Sequence, residues 1–375
     1  MIITIIGAGP RGLSTALYAL HKGHTVNLID PDPLHTWNTN YIISNLQMRS
    51  PVTFDLVTYI EELQDFSLAN FLNIPYTFTS KQCIIEFNNI KVSRSHFSSY
   101  LQFILKKITS KINLIKKKVI DVIENNVYLN DSTIIKSDAV VFCIGYTGKL
   151  NIPKWLNSTN LSKSIISLNT ILSNKNIYKD KKWLVIGSGQ GAAEITEYLC
   201  NLNGYVNWVT NNPIKVYQYP APDIKLWGKK SALGDYYRSL NNSIDKVNYL
   251  KKVKKWQPSI TPYIDHKLKQ VNNKYKILHL NNYTDILNLE FDYIVLATGL
   301  NPSIASLPTS IKIPSNSFNT IFPNITQGFK LNVPNCDWYV SGILATFYDG
   351  PRQHSLISSG LTAKEIINNI EYGNI

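Results

Sequence analysis

Two stretches of this sequence follow the same local grammar, and they limit the possible folds more than any other feature. The first is "IITIIGAGPRGLSTALYALHKGHTVNLID", residues 2–30. A β-branched apolar run fills 2–6, and Gly7, Gly9 and Gly12 then give G-x-G-x-x-G. Residues 11–22 carry helical apolar spacing, Gly23 stops the helix, and "TVNLID" reads as a second strand closed by Asp30. The parts have separate tasks. Gly7 permits a tight turn, Gly9 lets the backbone approach a pyrophosphate, and Gly12 lets helix and strand pack closely. Pro10 and Arg11 open a helix whose N-terminus offers free N–H groups and a positive dipole end to phosphate. Asp30 stands where an acid accepts hydrogen bonds from ribose hydroxyls. The pattern predicts a dinucleotide site.

The second stretch, "KKWLVIGSGQGAAEITEYLCNLNGYVNWVTNN" (181–212), repeats the pattern. Its glycines are Gly187, Gly189 and Gly191, with Ala192 in the third-glycine place and Gln190 between. The following strand ends in Thr210 and two asparagines, without an acid. An acid there would favour the free 2′-hydroxyl of NAD. Its absence favours NADPH over NADH, with Lys215 the nearest cation for a 2′-phosphate. Two further segments echo each other: "DAVVFCIGYTG" (138–148) and "DYIVLATGLNP" (292–302). Each is an apolar strand opening with an acid and closing in a glycine turn, at Gly145 and Gly299.

A chain of 375 residues exceeds what one core usually organises. These signals predict an α/β protein of two Rossmann-like, doubly wound, three-layer dinucleotide-binding domains. An NAD(P)H domain at 151–300, opening with a linker to about 180, is inserted into an FAD domain at 1–150 and 301–375. Residues 112–135 read as a small antiparallel element, and "SGLTAKEIINNIEYG" near the end as a helix capping the FAD domain.

The formal charge of +13 comes mostly from lysines scattered among Asn- and Ile-rich segments. A positive field favours anionic ligands, but no nucleic-acid motif accompanies it, and no nucleic-acid partner is expected. None of the four cysteines forms a C-x-x-C pair, which argues against a metal site and a dithiol centre. No apolar run reaches the ~20 residues that span a bilayer, so no membrane partner is expected. The first strand starts at the chain's beginning and leaves no room for a signal peptide, so a cytoplasmic protein is expected. The sequence leaves oligomeric state open, a homo-oligomer included.

These motifs carry a family likeness. The chain resembles class B flavin-dependent monooxygenases, and among them the N-hydroxylating lysine and ornithine monooxygenases. "GAGPRG" resembles their FAD fingerprint. "NLQMRSPVTFDLVT" (45–58) is similar to the segment ending Asp-Leu-x-Thr beside the flavin ring. "VIGSGQGAAE" and "DYIVLATG" resemble their nicotinamide fingerprint and the strand that follows it. The likeness implies FAD, NADPH and O₂, with a small-molecule substrate oxygenated, at an amine nitrogen by best match, through a C4a-hydroperoxyflavin. In the lysine and ornithine enzymes a lysine precedes the Asp-Leu pair and helps hold the amino acid. Here Phe54 stands there, a departure that speaks against an amino-acid substrate. The Phe-x-Gly-x-x-x-His signature of Baeyer–Villiger and related oxygenases is absent. The alternative reading is an NAD(P)H-dependent flavin reductase serving an external acceptor.

The residues placed beside the isoalloxazine are Met48, Arg49 and Ser50, with Trp37 and Gln47 lining the flavin pocket. Arg49 stands out because guanidinium gives fixed bidentate geometry; the bland reading is a surface ion pair. "FYDGPRQHS" (347–355) is polar and turn-rich, and Asp349 and His354 are candidates to touch flavin or substrate. Arg49, Asp349 and His354 are therefore the catalytic candidates, although His354 also fits a structural histidine. Arg94 reads as a surface charge at a helix start. Residues 219–240 read equally as a substrate lid or as core of the second domain.

Overall fold

The computed structural model describes residues 1–35, 37, 46–74, 90–145, 148–157, 165–173, 176–217, 235–240, 242–256, 259–279, 284–316 and 319–373. The chain forms two compact units. One comprises Met1–Gly148, Trp227–Leu250 and Pro302–Ile375; the other comprises Lys149–Leu226 and Lys251–Asn301.

The first unit is built on a five-stranded sheet. Its strands run in the order Trp338–Val340, Ala139–Phe142, Ile2–Ile6, Thr25–Ile29, Asn113–Ile115. Every neighbouring pair is parallel. Such strands are covered on both faces and read as continuous apolar runs; Ile3, Ile5, Leu28, Val140, Val141 and Phe142 are fully buried. From Ile2–Ile6 the chain steps outward to Thr25–Ile29 and later returns to the other side as Ala139–Phe142. The reversal leaves a switch point at the carboxyl ends of Ile2–Ile6 and Ala139–Phe142, where open α/β sheets bind ligands. The helices Pro10–His21 and Ser359–Tyr372 pack on each other in this unit. Asn113–Ile115 joins the parallel sheet, so the antiparallel element begins later than its sequence suggests. It is the three-stranded meander of Val119–Ile123, Asn126–Leu129 and Ile134–Lys136.

The second unit carries a four-stranded sheet in the order Tyr275–His279, Tyr205–Thr210, Lys182–Ile186, Tyr293–Leu296, again all parallel. Helix Gln190–Asn201 follows its first strand and packs against helix Pro262–Gln270. Single residues of the stretch read as a linker pack into the core here. Leu156 and Ile171 are fully buried, and Ile165 bridges to Ile294 beside the sheet. The apolar spacing there is too short for periodicity to reveal.

The two echoing segments do the same work in each unit. Asp138 accepts a hydrogen bond from the Ile2 N–H at 2.7 Å, and Asp292 accepts one from the Lys182 N–H at 2.8 Å. Each acid thus pins the start of its own strand to the start of the fingerprint strand. One stretch departs from its sequence assignment. Trp227–Leu250 belongs to the first unit, not the second. Tyr237 is fully buried there and donates its hydroxyl hydrogen to the Phe347 carbonyl at 2.8 Å. Of the stretch 219–240, residues 219–234 lie outside the described residues. No helix among the described residues is long and apolar enough to cross a membrane, and no group of potential metal ligands occurs among them.

Asp55, in the segment after the Gln47–Pro51 strand, gives the fold a testable pH signature. Its buried carboxylate accepts from the N–H groups of Val57 and Leu68 at 2.9 and 2.8 Å. Burial outweighs these bonds and pushes its pKa up to about 6. Between about pH 4 and pH 6 the folded chain holds a proton that the unfolded chain releases, so stability falls as pH rises through that window. The fall should approach ~3 kcal/mol. Urea unfolding at both ends of the window should show this slope in the parent and lose it in Asp55→Asn; an unchanged slope would disprove the assignment.

Candidate functional site

In the first unit the glycines divide by function. Gly7 has φ +103°, and a Cβ there would lie 2.5 Å from the Cys143 carbonyl oxygen on the neighbouring strand. A Cβ on Gly12 would lie 1.8 Å from the Gly7 carbonyl oxygen. Gly9 differs: its φ of −75° suits any residue, and nothing lies within 4 Å of where its Cβ would stand. Gly9 is also the N-cap of helix Pro10–His21 and has no side-chain cap. The end of that helix therefore faces open space with its N–H groups uncapped by any side chain, an arrangement suited to an anion.

Beside it lies a recess of about 370 Å³ lined by Gly9, Asp30, Pro31, Asp32, Leu34, His35 and Trp37. Asp30 accepts from the Ala8 N–H at 2.7 Å through one oxygen and from the Asp32 N–H at 2.9 Å through the other. A carboxylate oxygen has two acceptor positions, so these bonds orient Asp30 and leave capacity for hydroxyl groups. Trp37 is half-buried and tilts against Phe97 at 4.9 Å between ring centroids. Gly145, at φ +68°, is exposed and has open space around its Cβ position. Pro31, Asp32, Leu34 and His35 were missed by sequence reasoning; "PDPLH" directly after the second strand was the available signal.

The segment expected beside a flavin ring forms the strand Gln47–Pro51, paired antiparallel with Lys91–Ser93. Met48 is buried, whereas Gln47, Arg49 and Ser50 are partly exposed. Half-buried Lys91 donates to the Arg49 carbonyl at 3.5 Å, and desolvation lowers its pKa to about 8. Arg94 follows as the first residue of helix Arg94–Ile108.

Two side chains expected at the cofactor or the reaction, Arg11 and Asp349, are engaged with protein. Arg11 donates to the carbonyls of Gln353 and Ser355 at 2.8 and 3.0 Å and to the Ser358 hydroxyl at 2.8 Å. It ties the fingerprint helix to the C-terminal loop. Asp349 is fully buried and accepts from Arg352, Arg238 and Gln353. Its carboxylate oxygens are held by these protein donors. Arg352 and Gln353 come from the same turn as Asp349, whereas Arg238 lies 111 residues away and was invisible to local pattern. His354 is exposed, and its Nε2 lies 3.0 Å from the Thr346 hydroxyl. Desolvation, aided by the Arg11 charge, lowers its pKa below the ordinary histidine value. His354 is therefore neutral at pH 7.

The second unit repeats the glycine logic. Gly187 has φ +151°, and a Cβ there would meet the Ala297 carbonyl oxygen at 2.3 Å. Gly189, Gly191 and Gly299 have open space instead. Ala192, fully buried, takes the close-packing place. Gln190 accepts from the Thr261 N–H at 2.8 Å and donates to Glu194 at 2.9 Å, so its amide joins two helix starts. Thr210 is buried, and its hydroxyl donates to the Asn212 carbonyl at 2.7 Å, closing the turn after its strand. Lys215 lies just beyond, where its carbonyl accepts from the Ile260 N–H at 2.8 Å. The three described cysteines, Cys143, Cys200 and Cys336, are buried and unpaired; Cys83 lies outside the described residues.

Two parallel sheets, each with a glycine turn opening a helix at the carboxyl edge of its first strand, define a protein of two dinucleotide-fold units. The comparisons give the family. The model for L-lysine 6-monooxygenase/L-ornithine 5-monooxygenase matches residues 2–217, more than half of the chain, and the chain belongs to that family. The model for pyridine nucleotide-disulphide oxidoreductases matches residues 181–328. Among solved structures, the ornithine hydroxylase PvdA of Pseudomonas aeruginosa superposes with a TM-score of 0.76 at 15% identity, covering 98% of both chains. The ornithine N-hydroxylase of Kutzneria sp. 744 gives a TM-score of 0.78 at 14% identity, covering 100% of this chain and 99% of that one. DfoA of Erwinia amylovora, a cadaverine monooxygenase described with FAD bound, gives 0.76 at 18%, covering 98% and 94%. At these identities the likeness is one of fold. The rhizobactin siderophore biosynthesis protein RhbE of Rhizobium meliloti is 23% identical over 229 residues, 55% of this chain. That match spans 48% of RhbE, about half its length.

Proposed function

We propose that the protein is an NADPH-dependent FAD monooxygenase that hydroxylates an amine nitrogen of a small molecule. The observation that carries this is the pair of glycine cradles, open where a Cβ would stand at Gly9 in one and at Gly189 and Gly191 in the other, in a chain of this family. The first unit is assigned to FAD. The helix start at Gly9 and Pro10 would meet the pyrophosphate, Asp30 would accept ribose hydroxyls, and Trp37 would wall the recess. Residues Gln47, Met48, Arg49 and Ser50 of the strand Gln47–Pro51, with Gly145, would border the isoalloxazine. The second unit is assigned to the nicotinamide nucleotide, with Gly189, Gly191 and Gly299 allowing its approach and Lys215 supplying charge for a 2′-phosphate. NADPH is preferred to NADH because no acid follows Thr210.

When bound, the flavin supplies the redox and oxygen chemistry. The protein's share is to hold the rings, orient the amine and exclude water. Arg49 and His354 are the side chains assigned to contact flavin or substrate. His354, neutral at working pH, can donate or accept a hydrogen bond there. Asp349 acts from behind, by fixing Arg352, and Arg11 and Gln190 act by fixing the two fingerprint helices. Among amines, a diamine is favoured over an α-amino acid, because Phe54 replaces the lysine that would meet a carboxylate. Four cysteines without close pairs suit a reducing compartment, and a cytoplasmic location is assigned.

The test is stopped-flow spectroscopy. Holoprotein reduced anaerobically with NADPH and mixed with oxygenated buffer should show a transient near ~370–380 nm, typical of an oxygen adduct of the cofactor, and then hydroxylated amine. Reoxidation that needs a separate acceptor, with no transient and no product from any amine, would establish the flavin reductase reading. The match of residues 181–328 to disulphide oxidoreductases keeps that reading in view. Failure of NADPH and NADH alike to bleach the flavin would refute the role given to the second unit.

A further inference from the structure

The first unit contains a side chain that no motif marks. Arg238 lies in the short helix Asp235–Arg238, between two strands of the other unit in sequence. Its Nε donates to Asp349 Oδ1 at 2.6 Å and its Nη2 to Glu365 Oε2 at 2.8 Å. The guanidinium carbon lies 5.7 Å from the Phe329 ring centroid and 5.5 Å from that of Tyr348. With Arg352 it makes two cations against two carboxylates, Asp349 and Glu365. Beside it, Tyr237 closes over Gly350, where any Cβ would fall 2.9 Å from the ring.

The network continues inward. Asp349 accepts from Gln353 Nε2, and Gln353 Oε1 accepts from the Gly342 N–H at 3.2 Å. The Gln353 carbonyl in turn accepts from Arg11 Nη2 at 2.8 Å. Arg11 is the second residue of the helix whose start opens on the recess. We propose that Arg238 is a positioning residue for the first dinucleotide site, acting through Asp349 and Gln353 on Arg11. The proposal rests on the reading of that site as the flavin site. A planar guanidinium holding a fully buried carboxylate fixes its orientation in a way a flexible ammonium does not. That orientation sets the 349–355 turn, whose carbonyls hold Arg11.

The experiment measures the FAD dissociation constant by flavin fluorescence on dilution of holoprotein, alongside thermal midpoint and the KM for NADPH. Arg238→Met should weaken FAD binding tenfold or more with KM for NADPH within twofold of the parent, and Arg238→Lys should recover only part of the loss. Gln353→Leu should weaken FAD as well, and in that background Arg238→Lys should add less than twofold, because both act through one path. The proposal is overturned if Arg238→Met lowers the thermal midpoint but keeps parental FAD affinity. It is equally overturned if Arg238→Lys costs the same factor in both backgrounds, a comparison that stands even where Arg238→Met does not fold. A parent protein that takes up no FAD refutes the flavin reading itself and this inference with it, and is distinguished by the parent measurement alone.

Discussion

Gly12→Ala is expected to abolish flavin retention by breaking the fold, whereas Gly9→Ala should fold like the parent and lose flavin anyway. The two glycines are three residues apart in one turn, and the difference is steric. A Cβ on Gly12 would stand 1.8 Å from a backbone oxygen, that of Gly7. Backbone cannot swing aside as a long side chain can, so helix Pro10–His21 must move off the sheet. Overpacking of this kind costs ~3 kcal/mol or more where the core cannot yield. At Gly9 the backbone is already in a region open to L-residues and the Cβ meets nothing. Stability should shift by no more than ~0.5 kcal/mol, and the methyl should occupy the space a pyrophosphate needs. Thermal unfolding and flavin content per chain measure the two effects separately. Parental FAD content in Gly9→Ala would mean that the cradle does not hold the phosphates. The second unit offers the same contrast, with Gly187→Ala damaging the fold and Gly189→Ala impairing only reduction by NADPH.

Asp349→Ala should be the most destabilising polar substitution in the first unit. Its carboxylate is fully buried and faces Arg352, which is itself 4% exposed, together with Arg238. Removing one partner of a buried ion pair leaves an uncompensated charge and costs ~3–5 kcal/mol. For a unit of this size each kcal/mol lowers the midpoint by ~2–4 °C, so a fall on the order of 10 °C is expected in calorimetry. Asp349→Asn, which keeps the shape and one acceptor, should lie between. A midpoint within ~2 °C of the parent for Asp349→Ala would show that water or Glu365 neutralises the site and that the cluster does not hold the C-terminal loop.

Sequence alone determined the two strand–glycine–helix–strand cores, the strands that lead into the glycine turns at Gly145 and Gly299, and the family. Each rests on constraints among residues within one turn or one strand, such as the clearance between Gly7 and Gly12, and a linear pattern records such constraints directly. Only the tertiary structure decided what the charged side chains do. Arg11 stands next to a phosphate-type turn in sequence, yet it bonds to a carbonyl 342 residues away. Asp349 lies in a polar loop that reads as a site, yet its partner Arg238 is 111 residues distant and turns it into a buried strut. The segment Trp227–Leu250 likewise leaves the unit that surrounds it in sequence. A guanidinium or carboxylate bonds to whatever the packed chain brings within ~3 Å, and no local periodicity encodes a neighbour that arrives from a hundred residues away.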